Sequence, residues 1–407
     1  MTLHDDIARL AEFNDDPAAG GITREVFTPT YGAALEWVAG QLRDAGLETR
    51  LDAFGNLWGR WAGSEPGAPR VITGSHVDTT LNAGRYDGVV GVLGAIEAVR
   101  RLRACGFAPR RSVELVAFAG EEPRFGTGCI GSRALVGALP DEDLQRMTDR
   151  DGISLAAALS GAGLDPARIG EAVLDPAAVH AFVELHIEQA AVLETAGRSI
   201  GVVTAIAAPH DFRIVLRGAA THSGATPMDL RRDALVGAAE VVMEIERLAR
   251  ASASGTTVGT VGVLRVSPGA INVVPGEVSL DVDVRDSDVE AREAVVDGIV
   301  LAAREVGARR TLEIAVEPIV TDAPVRCAPE VVQAARDAAA ELGLEHLDMT
   351  SGAYHDAMIL AARVPVGMIF VPSRDGISHH PAEFTAPEEL DAGVDVLAGT
   401  LARLAGG

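Results

Sequence analysis

Apolar positions along the chain change period several times, and each change predicts an element. Over residues 33–45, Leu35, Val38 and Leu42 recur at helical spacing, and Gly46 follows as a stop. Residues 51–61 alternate as a strand or hairpin that turns near Asn56. Three short apolar runs then end in polar residues. Val71-Ile72 leads into Gly74-Ser-His76, residues 112–119 lead into Gly120-Glu-Glu122, and residues 181–185 lead into His186-Ile-Glu-Gln189. Such runs read as buried strands. Residues 89–102 carry the spacing of a helix, and the Ala-rich stretch 140–179 reads as mostly helical, broken at Gly161-Ala-Gly163 and at two Asp-Pro pairs.

Near Ile206 the pattern changes. Residues 212–216 read as a strand, 229–250 as a helix, 258–266 and 278–284 as two alternating strands, 287–306 as a second helix and 312–316 as a last strand. This β-α-β-β-α-β order over about 115 residues is that of an open-faced sandwich. Patterns of the first kind resume after it: a helix over 329–343, a long apolar strand over 364–371 and a helix from about Pro387. The expected architecture is therefore α/β. A mixed-sheet domain spans 1–208 and 323–407, and 209–322 is an inserted domain. No internal repeat interrupts either pattern.

Composition narrows the partners. The 407 residues are 48% hydrophobic, which supplies a large core for two or three domains. A formal charge of −23 argues against nucleic acid and anionic membranes, and it obliges any anionic substrate to find a local basic group. Cys105, Cys129 and Cys327 are odd in number and widely spaced, which suggests a reducing compartment, the cytoplasm. The N-terminal residues lack the basic and apolar regions of a signal peptide, and no apolar run is long enough to cross a bilayer.

The chemistry gathers at strand ends. His76, Glu122, His186 and His379 each lie just after a predicted buried strand, and in open α/β sheets ligands bind beyond the carboxyl ends of strands. His76 and Asp78 are two apart, so an extended backbone puts Asp78 on the side of the His76 ring, able to orient it. Asp87 is then free to bind a metal. Singly, these are a core histidine, a solvated acidic turn and an Asp welcomed by a helix N-terminus. Jointly, the order His, Asp, Glu, His, His suits a two-metal site with one bridging carboxylate, and mixed nitrogen and oxygen donors suit zinc, manganese or cobalt. If Glu122 holds a metal, Glu121 points elsewhere and can face a metal-bound water of lowered pKa. It can take that proton and later deliver it to a leaving nitrogen.

The motifs Gly-Ser-His76-Val-Asp78-Thr, Gly-Arg-Tyr-Asp87-Gly, Gly120-Glu-Glu-Pro-Arg-Phe-Gly-Thr, Glu184-Leu-His-Ile-Glu-Gln189, Ser351-Gly-Ala-Tyr-His355-Asp-Ala and Gly376-Ile-Ser-His379-His-Pro-Ala-Glu383 follow one another in the chain. Together they resemble the hydantoinase/carbamoylase amidohydrolases of the M20 metallopeptidase-like clan. That group includes N-carbamoyl-L-amino acid hydrolases, β-ureidopropionases and allantoate amidohydrolases, and the resemblance runs from about residue 20 to 390. It implies a metallopeptidase-like catalytic domain with an inserted ferredoxin-like dimerisation domain, and hence a homodimer. It implies two divalent ions per subunit (zinc, manganese, cobalt or nickel), bridged by Asp87. His76 and His186 would complete one ion's ligands, and Glu122 and His379 the other's. Glu121 would be the general base and then the general acid.

Among substrate contacts the resemblance implies Gln189, His355, Asn272 and Arg285, the last gripping a carboxylate. It implies that His222 reaches the partner subunit's site to stabilise the oxyanion. Tyr354 stands where the family usually has Gly and would reshape the pocket, while Ala83 and Ala190 are smaller departures from Gly. His380 matches no ligand position. The activity implied is hydrolysis of the C–N bond of an N-carbamoyl-L-amino acid or similar ureido acid, releasing amino acid, ammonia and carbon dioxide. Allantoate, ureidoglycolate and N-acyl amino acids are alternative substrates. A metal-dependent binding protein is the non-catalytic alternative, against which the free carboxylate of Glu121 argues.

Overall fold

The apolar run before His76 forms a strand in the middle of a mixed sheet. The computed structural model describes residues 2–406; Met1 and Gly407, the outer ends of the expected catalytic segments, lie outside the described residues. In chain order the strands are β1 (Glu48–Leu51), β2 (Leu57–Trp61), β3 (Arg70–His76), β4 (Val113–Phe118), β5 (Val179–Ile187), β6 (Ile200–Ile206), β7 (Ala208–Arg217), β8 (Thr221–His222), β9 (Val258–Ser267), β10 (Val273–Val274), β11 (Glu277–Asp286), β12 (Glu313–Thr321), β13 (Val325–Arg326), β14 (His346–Ser351) and β15 (Val366–Val371). Contacts group the chain into two units. One comprises residues up to 204, 327–349 and those from 355 onward; the other comprises 205–326 and 350–354.

In the first unit the sheet runs β1-β2-β4-β3-β5-β15-β6. The inner four strands, β4, β3, β5 and β15, are parallel, and the flanking strands are antiparallel. All six residues of β15 are buried, as expected of a parallel strand covered on both faces. The helices Val89–Ala104 and Pro387–Gly406 pack on one another and on β3 and β5. The parallel strands thus deliver their carboxyl ends to one edge. His76 is the last residue of β3, His186 the last but one of β5, and Gly120-Glu121-Glu122 follows β4.

The strand or hairpin expected over 51–61 is a hairpin shifted toward the N-terminus: β1 ends at Leu51 and pairs with β2, and the turn between them is built by Asp52. That carboxylate accepts the backbone N–H groups of Phe54, Gly55 and Asn56 at 2.9–3.0 Å, an Asx-type turn. The stretch 140–179 is corrected. It holds the short helices Asp143–Arg146 and Leu155–Gly161 and two 3₁₀ turns, Pro166–Ala172 and Pro176–Ala178. The Asp-Pro pairs explain this: Asp165 and Asp175 each cap a 3₁₀ turn by accepting the N–H two residues on, so Pro begins a turn where a longer helix was expected. Among the described residues five strands go beyond the expected set: β6, β14 and the two-residue β8, β10 and β13. β14, His-Leu-Asp-Met-Thr-Ser, is half exposed and lacks the alternation that reveals a strand.

The second unit holds a four-stranded antiparallel sheet in the order β12-β7-β11-β9. The helices Ala234–Arg250 and Val289–Arg310 follow β7 and β11, capped by Asp233 and Asp288. Val278, Leu280, Val282 and Val284 of β11 pack with Val241, Ile245, Val295 and Ile299 of the helices into one core. The alternate β11 residues, including Asp281, Asp283 and Arg285, lie on the other face. The strip 350–354 joins this unit, with Ala207 N–H donating to Ser351 O at 2.8 Å. No helix among the described residues is long and apolar enough to cross a membrane.

Candidate active site

Asp87 is the hub of the polar edge of the first unit. Its Oδ1 lies 3.5 Å from His76 Nε2 and 3.2 Å from His186 Nε2, and its Oδ2 lies 3.2 Å from His379 Nε2. One carboxylate therefore faces two imidazoles with one oxygen and a third imidazole with the other. Two clusters result, His76–Asp87–His186 and Asp87–Glu122–His379, each with ligand atoms within 4.8 Å of one another. Glu122 Oε1 is 3.6 Å from His379 Nε2.

Backbone carbonyls fix the two buried rings. His76 Nδ1 is 3.1 Å from Asp78 O, and His186 Nδ1 is 2.9 Å from Ile187 O. A carbonyl only accepts, so each Nδ1 carries a proton and each Nε2 faces Asp87, donating to it when the ring is charged and offering a lone pair when the ring is neutral. Asp78, the expected partner of the His76 ring, meets it through both its carbonyl and its carboxylate. Its carboxylate is 3.7 Å from the His76 ring, farther than its own carbonyl, because β3 ends at His76 and the chain turns. The carboxylate also accepts the N–H groups of Gly120 and Glu122, at 3.3 and 3.0 Å, and so fixes the Glu121–Glu122 turn.

Glu121 Oε2 lies 3.7 Å from His76 Nε2, and its Oε1 lies 3.6 Å from the Cys129 thiol. Gln189 adopts a left-handed backbone (φ 60°), as does His379 (φ 54°). Such strain in non-glycine residues clusters at functional sites. Gln189 donates from Nε2 to Asp87 Oδ2 at 2.6 Å, while its Oε1 is buried without a hydrogen-bond partner. His355 stacks edge-on to His186, ring centroids 4.5 Å apart.

Several residues of this edge went unassigned in the sequence. Glu383 Oε1 accepts the N–H groups of Tyr86 and Asp87, at 2.7 and 3.1 Å. Ser378 donates to Asp87 Oδ2 at 2.8 Å. Glu184 accepts from Ser75 Oγ at 2.7 Å and Ala357 N at 3.0 Å, and Asp356 accepts from Ser132 Oγ at 2.6 Å. Glu383, Ser378, Glu184 and Asp356 all sit inside the quoted motifs, but nothing in a motif says which polar residue contacts which.

Burial and mutual repulsion dominate the electrostatics. Burial, then the charge of Asp87, pushes Glu122 up to about 7. Burial, then Glu184, pushes Asp356 to about 8, and burial, then Asp87, pushes Glu383 to about 7. Burial and the charges of Glu122, Asp356 and Asp87 raise Glu121 well above its usual range, despite His76. Burial disfavours the His76 cation, but Glu121, Asp87 and Asp78 outweigh it and raise its pKa. The hydrogen bond to Asp87 lifts His379 to about 9. Asp87 is held well below its usual range, because its bonds to His186, His379 and His76 outweigh burial.

The second unit gathers the remaining expected residues in two places. β8 pairs with β10, and Ser223 N–H donates to Asn272 O at 2.9 Å, so His222 and Asn272 share one loop pair. His222 is exposed, and its Nδ1 accepts the N–H groups of Gly224 and Ala225 at 3.1 and 3.2 Å. In the neutral ring the proton is therefore on Nε2, which presents a donor outward. Arg285 and Tyr354 meet on the helix-free face of the sheet, the guanidinium carbon 5.9 Å from the ring centroid.

Residues 72–403 match the sequence profile of Peptidase family M20/M25/M40. The N-carbamoyl-L-amino acid amidohydrolase of Geobacillus stearothermophilus is 44% identical over 402 residues, 98% of this chain and 97% of that protein. The ureidoglycolate hydrolase of Oryza sativa subsp. japonica is 42% identical over 407 residues, 99% of this chain and 84% of that protein. Among solved structures, an amidase of the hydantoinase/carbamoylase family from Burkholderia multivorans superposes with a TM-score of 0.91 at 35% identity, covering 99% of this chain and 97% of that one.

Proposed function

The chain belongs to Peptidase family M20/M25/M40 and is an amidohydrolase of the carbamoylase/allantoate kind, and from that premise we propose that it hydrolyses the C–N bond of an N-carbamoyl-L-amino acid or similar ureido acid. The observation that carries this reading is the pairing of a bridging carboxylate with an adjacent spare one. Asp87 turns its two oxygens to different imidazoles, and Glu121, outside both clusters, stands beside them.

The residues fit a pair of divalent ions. The Nε2 atoms of His76 and His186 already face Asp87, and burial together with the charge of Asp87 raises the pKa of Glu122 and of Glu383, as expected of carboxylates crowded without a cation. Asp87, His76 and His186 would hold one ion; Asp87, Glu122 and His379 would hold the other. When bound, the ions supply Lewis acidity and acidify water at neutral pH. Glu121 takes the proton of the attacking water and returns it to the leaving nitrogen. Ser378 and Glu383 hold Asp87 and its backbone in place. Arg285 takes the substrate carboxylate, with Asn272 beside the loop of His222. His222 Nε2–H is the donor offered to the developing oxyanion. The carbamate released breaks down to carbon dioxide and ammonia.

The second unit, ordered as a ferredoxin-like sandwich, is the surface we assign to homodimer formation, through which His222 serves the partner's site. Three free cysteines suit a cytoplasmic setting. A second reading, ureidoglycolate as substrate, is favoured by the similarity to the rice enzyme and by Tyr354, which brings an aromatic ring and a hydroxyl beside Arg285.

The test is ammonia release with manganese, zinc or cobalt present, over N-carbamoyl-L-amino acids, ureidoglycolate, allantoate, ureidopropionate and N-acyl amino acids. Carbamoyl or ureido acids are expected to release ammonia. Turnover of N-acyl amino acids alone would refute the reading.

Ion removal should change the pH dependence of stability. Glu122, Glu383, Asp356 and His379 all have folded pKa values above their unfolded ones. Their stabilisation is complete at low pH and is lost as pH rises through about 7 to 9. Burial lowers the pKa of His355, but that opposes the trend only below the ordinary imidazole range. The thermal midpoint of the chelated protein is expected to fall by on the order of 5 °C between pH 6.5 and 9. With saturating ions it should stay level or rise, because the ligating forms are the deprotonated ones. Parallel slopes with and without ions would contradict this.

A further inference from the structure

The helix-free face of the second unit's sheet sets one guanidinium among three carboxylates. On β11, Asp281, Asp283 and Arg285 share this face, and on the adjacent β7 Asp211 lies opposite Asp283 and Arg213 opposite Asp281. Arg213 and Arg265 both turn to Asp281, at 2.5 and 3.1 Å, and Glu317 lies opposite Arg213 on β12, so two carboxylates balance these two cations. Arg285 is committed differently. Asp283 accepts its Nε at 3.0 Å and its Nη2 at 2.8 Å, closing that edge of the fork, and Gly352 O accepts Nη1 at 3.1 Å. The Tyr354 ring lies beside the guanidinium, and its hydroxyl donates to Asp322. Asp211 has one oxygen, Oδ1, buried without a hydrogen-bond partner. Burial and the charge of Asp283 push Asp211 up to about 6.

We infer that this cluster is a charge filter: Arg285 admits one carboxylate at its remaining edge, and Asp283, Asp211 and Asp322 reject a second anionic group on the same substrate. The inference rests on Arg285 receiving the substrate carboxylate. One cation facing three carboxylates is already over-neutralised, so a second negative charge brought there meets net repulsion in a partly desolvated site. A neutral group of the same shape meets none. Asp283 is thus a specificity-determining residue, and Asp211 acts through its field alone.

N-carbamoyl-L-asparagine and N-carbamoyl-L-aspartate differ in one charge at nearly constant shape. The wild-type holoenzyme is expected to favour the asparagine compound by about tenfold or more in kcat/KM. Asp283→Asn and Asp211→Asn should each narrow that ratio, as should added salt. Asp283→Asn also loosens Arg285, but Asp211→Asn removes a charge without touching the guanidinium. Equal kcat/KM for the two compounds in the wild type, or a ratio unmoved in both variants, would overturn the filter. Arg285→Ala should raise KM for both compounds; an unchanged KM defeats the assigned part of Arg285 and the filter with it. If neither compound is hydrolysed, equilibrium binding of both to the Glu121→Gln holoenzyme decides. A preference in binding keeps the filter while the catalytic reading fails, and no preference, or no binding of either, overturns it.

Discussion

Glu121→Gln is expected to lower kcat by about a thousandfold or more while leaving the bound-ion content unchanged. Gln keeps the shape and cannot take a proton. Glu121 is outside both ligand clusters, so its loss should spare the ions. Its position is what makes it the base: one oxygen is 3.7 Å from His76 Nε2, and the other is 3.6 Å from the Cys129 thiol. The turn that presents it is tied from both ends. Asp78 accepts the N–H of Glu122, and Cys129 N–H donates to Glu121 O at 2.8 Å. Burial and neighbouring charges raise its proton affinity, which suits a group that must first accept and then deliver a proton. Removing a charge from that crowd should not destabilise the fold, so the thermal midpoint of the variant should match or exceed the wild type. Elemental analysis, steady-state kinetics and thermal unfolding on one preparation check all three parts. Residual kcat within tenfold of wild type, or loss of an ion, would remove Glu121 from its role.

The sequence carried the strand-end logic further than the contacts. Runs such as residues 181–185 announced β5 because a parallel strand covered on both faces is continuously apolar. The same physics places His76, His186 and Glu122 at one edge, since parallel strands end on the same side. What could not be read was any pairing that depends on distant turns. Glu383 reaches the backbone of Tyr86 and Asp87 across 297 and 296 residues, and no local pattern encodes that. Asp78 adds to its carboxylate's approach to His76 a backbone contact that local geometry does not foretell. The two-residue alternation holds only while the chain stays extended, and β3 stops at His76. The Ala-rich stretch 140–179 failed for a related reason. Ala favours helix wherever nothing else competes, but Asp165 and Asp175 capture nearby N–H groups and close tight turns.

Gly88→Ala is expected to cut activity about a thousandfold by displacing His76. Gly88 caps the helix Val89–Ala104 with φ 64° and ψ −42°, and Val89 N–H donates to Asp87 O at 2.6 Å, a γ-turn geometry that strains any L-residue by about 1–3 kcal/mol. The larger effect is steric. A Cβ at Gly88 would lie 2.4 Å from Cδ2, Cε1 and Nε2 of the His76 ring, so the methyl would press on the face of the imidazole. The ring cannot move aside freely, because it is buried and its Nδ1 is tied to Asp78 O. Gly88 N–H also donates to His186 Nε2 at 3.2 Å, so a backbone shift at this residue disturbs the second imidazole of the same cluster. A misplacement of about 1 Å at such a site costs on the order of a hundredfold in rate, before any loss of ligand. The overpacked core adds about 1–3 kcal/mol of destabilisation. The expected variant is folded, with a thermal midpoint lowered by several degrees, at least one ion per subunit missing and kcat/KM down by about a thousandfold. Gly84→Ala is the informative contrast, since its Cβ would meet Glu383 at 2.4 Å instead and act on Asp87 through the backbone. If Gly88→Ala kept its full ion content and normal turnover, His76 could not be a rigidly placed ligand, and the cluster around Asp87 would need another explanation.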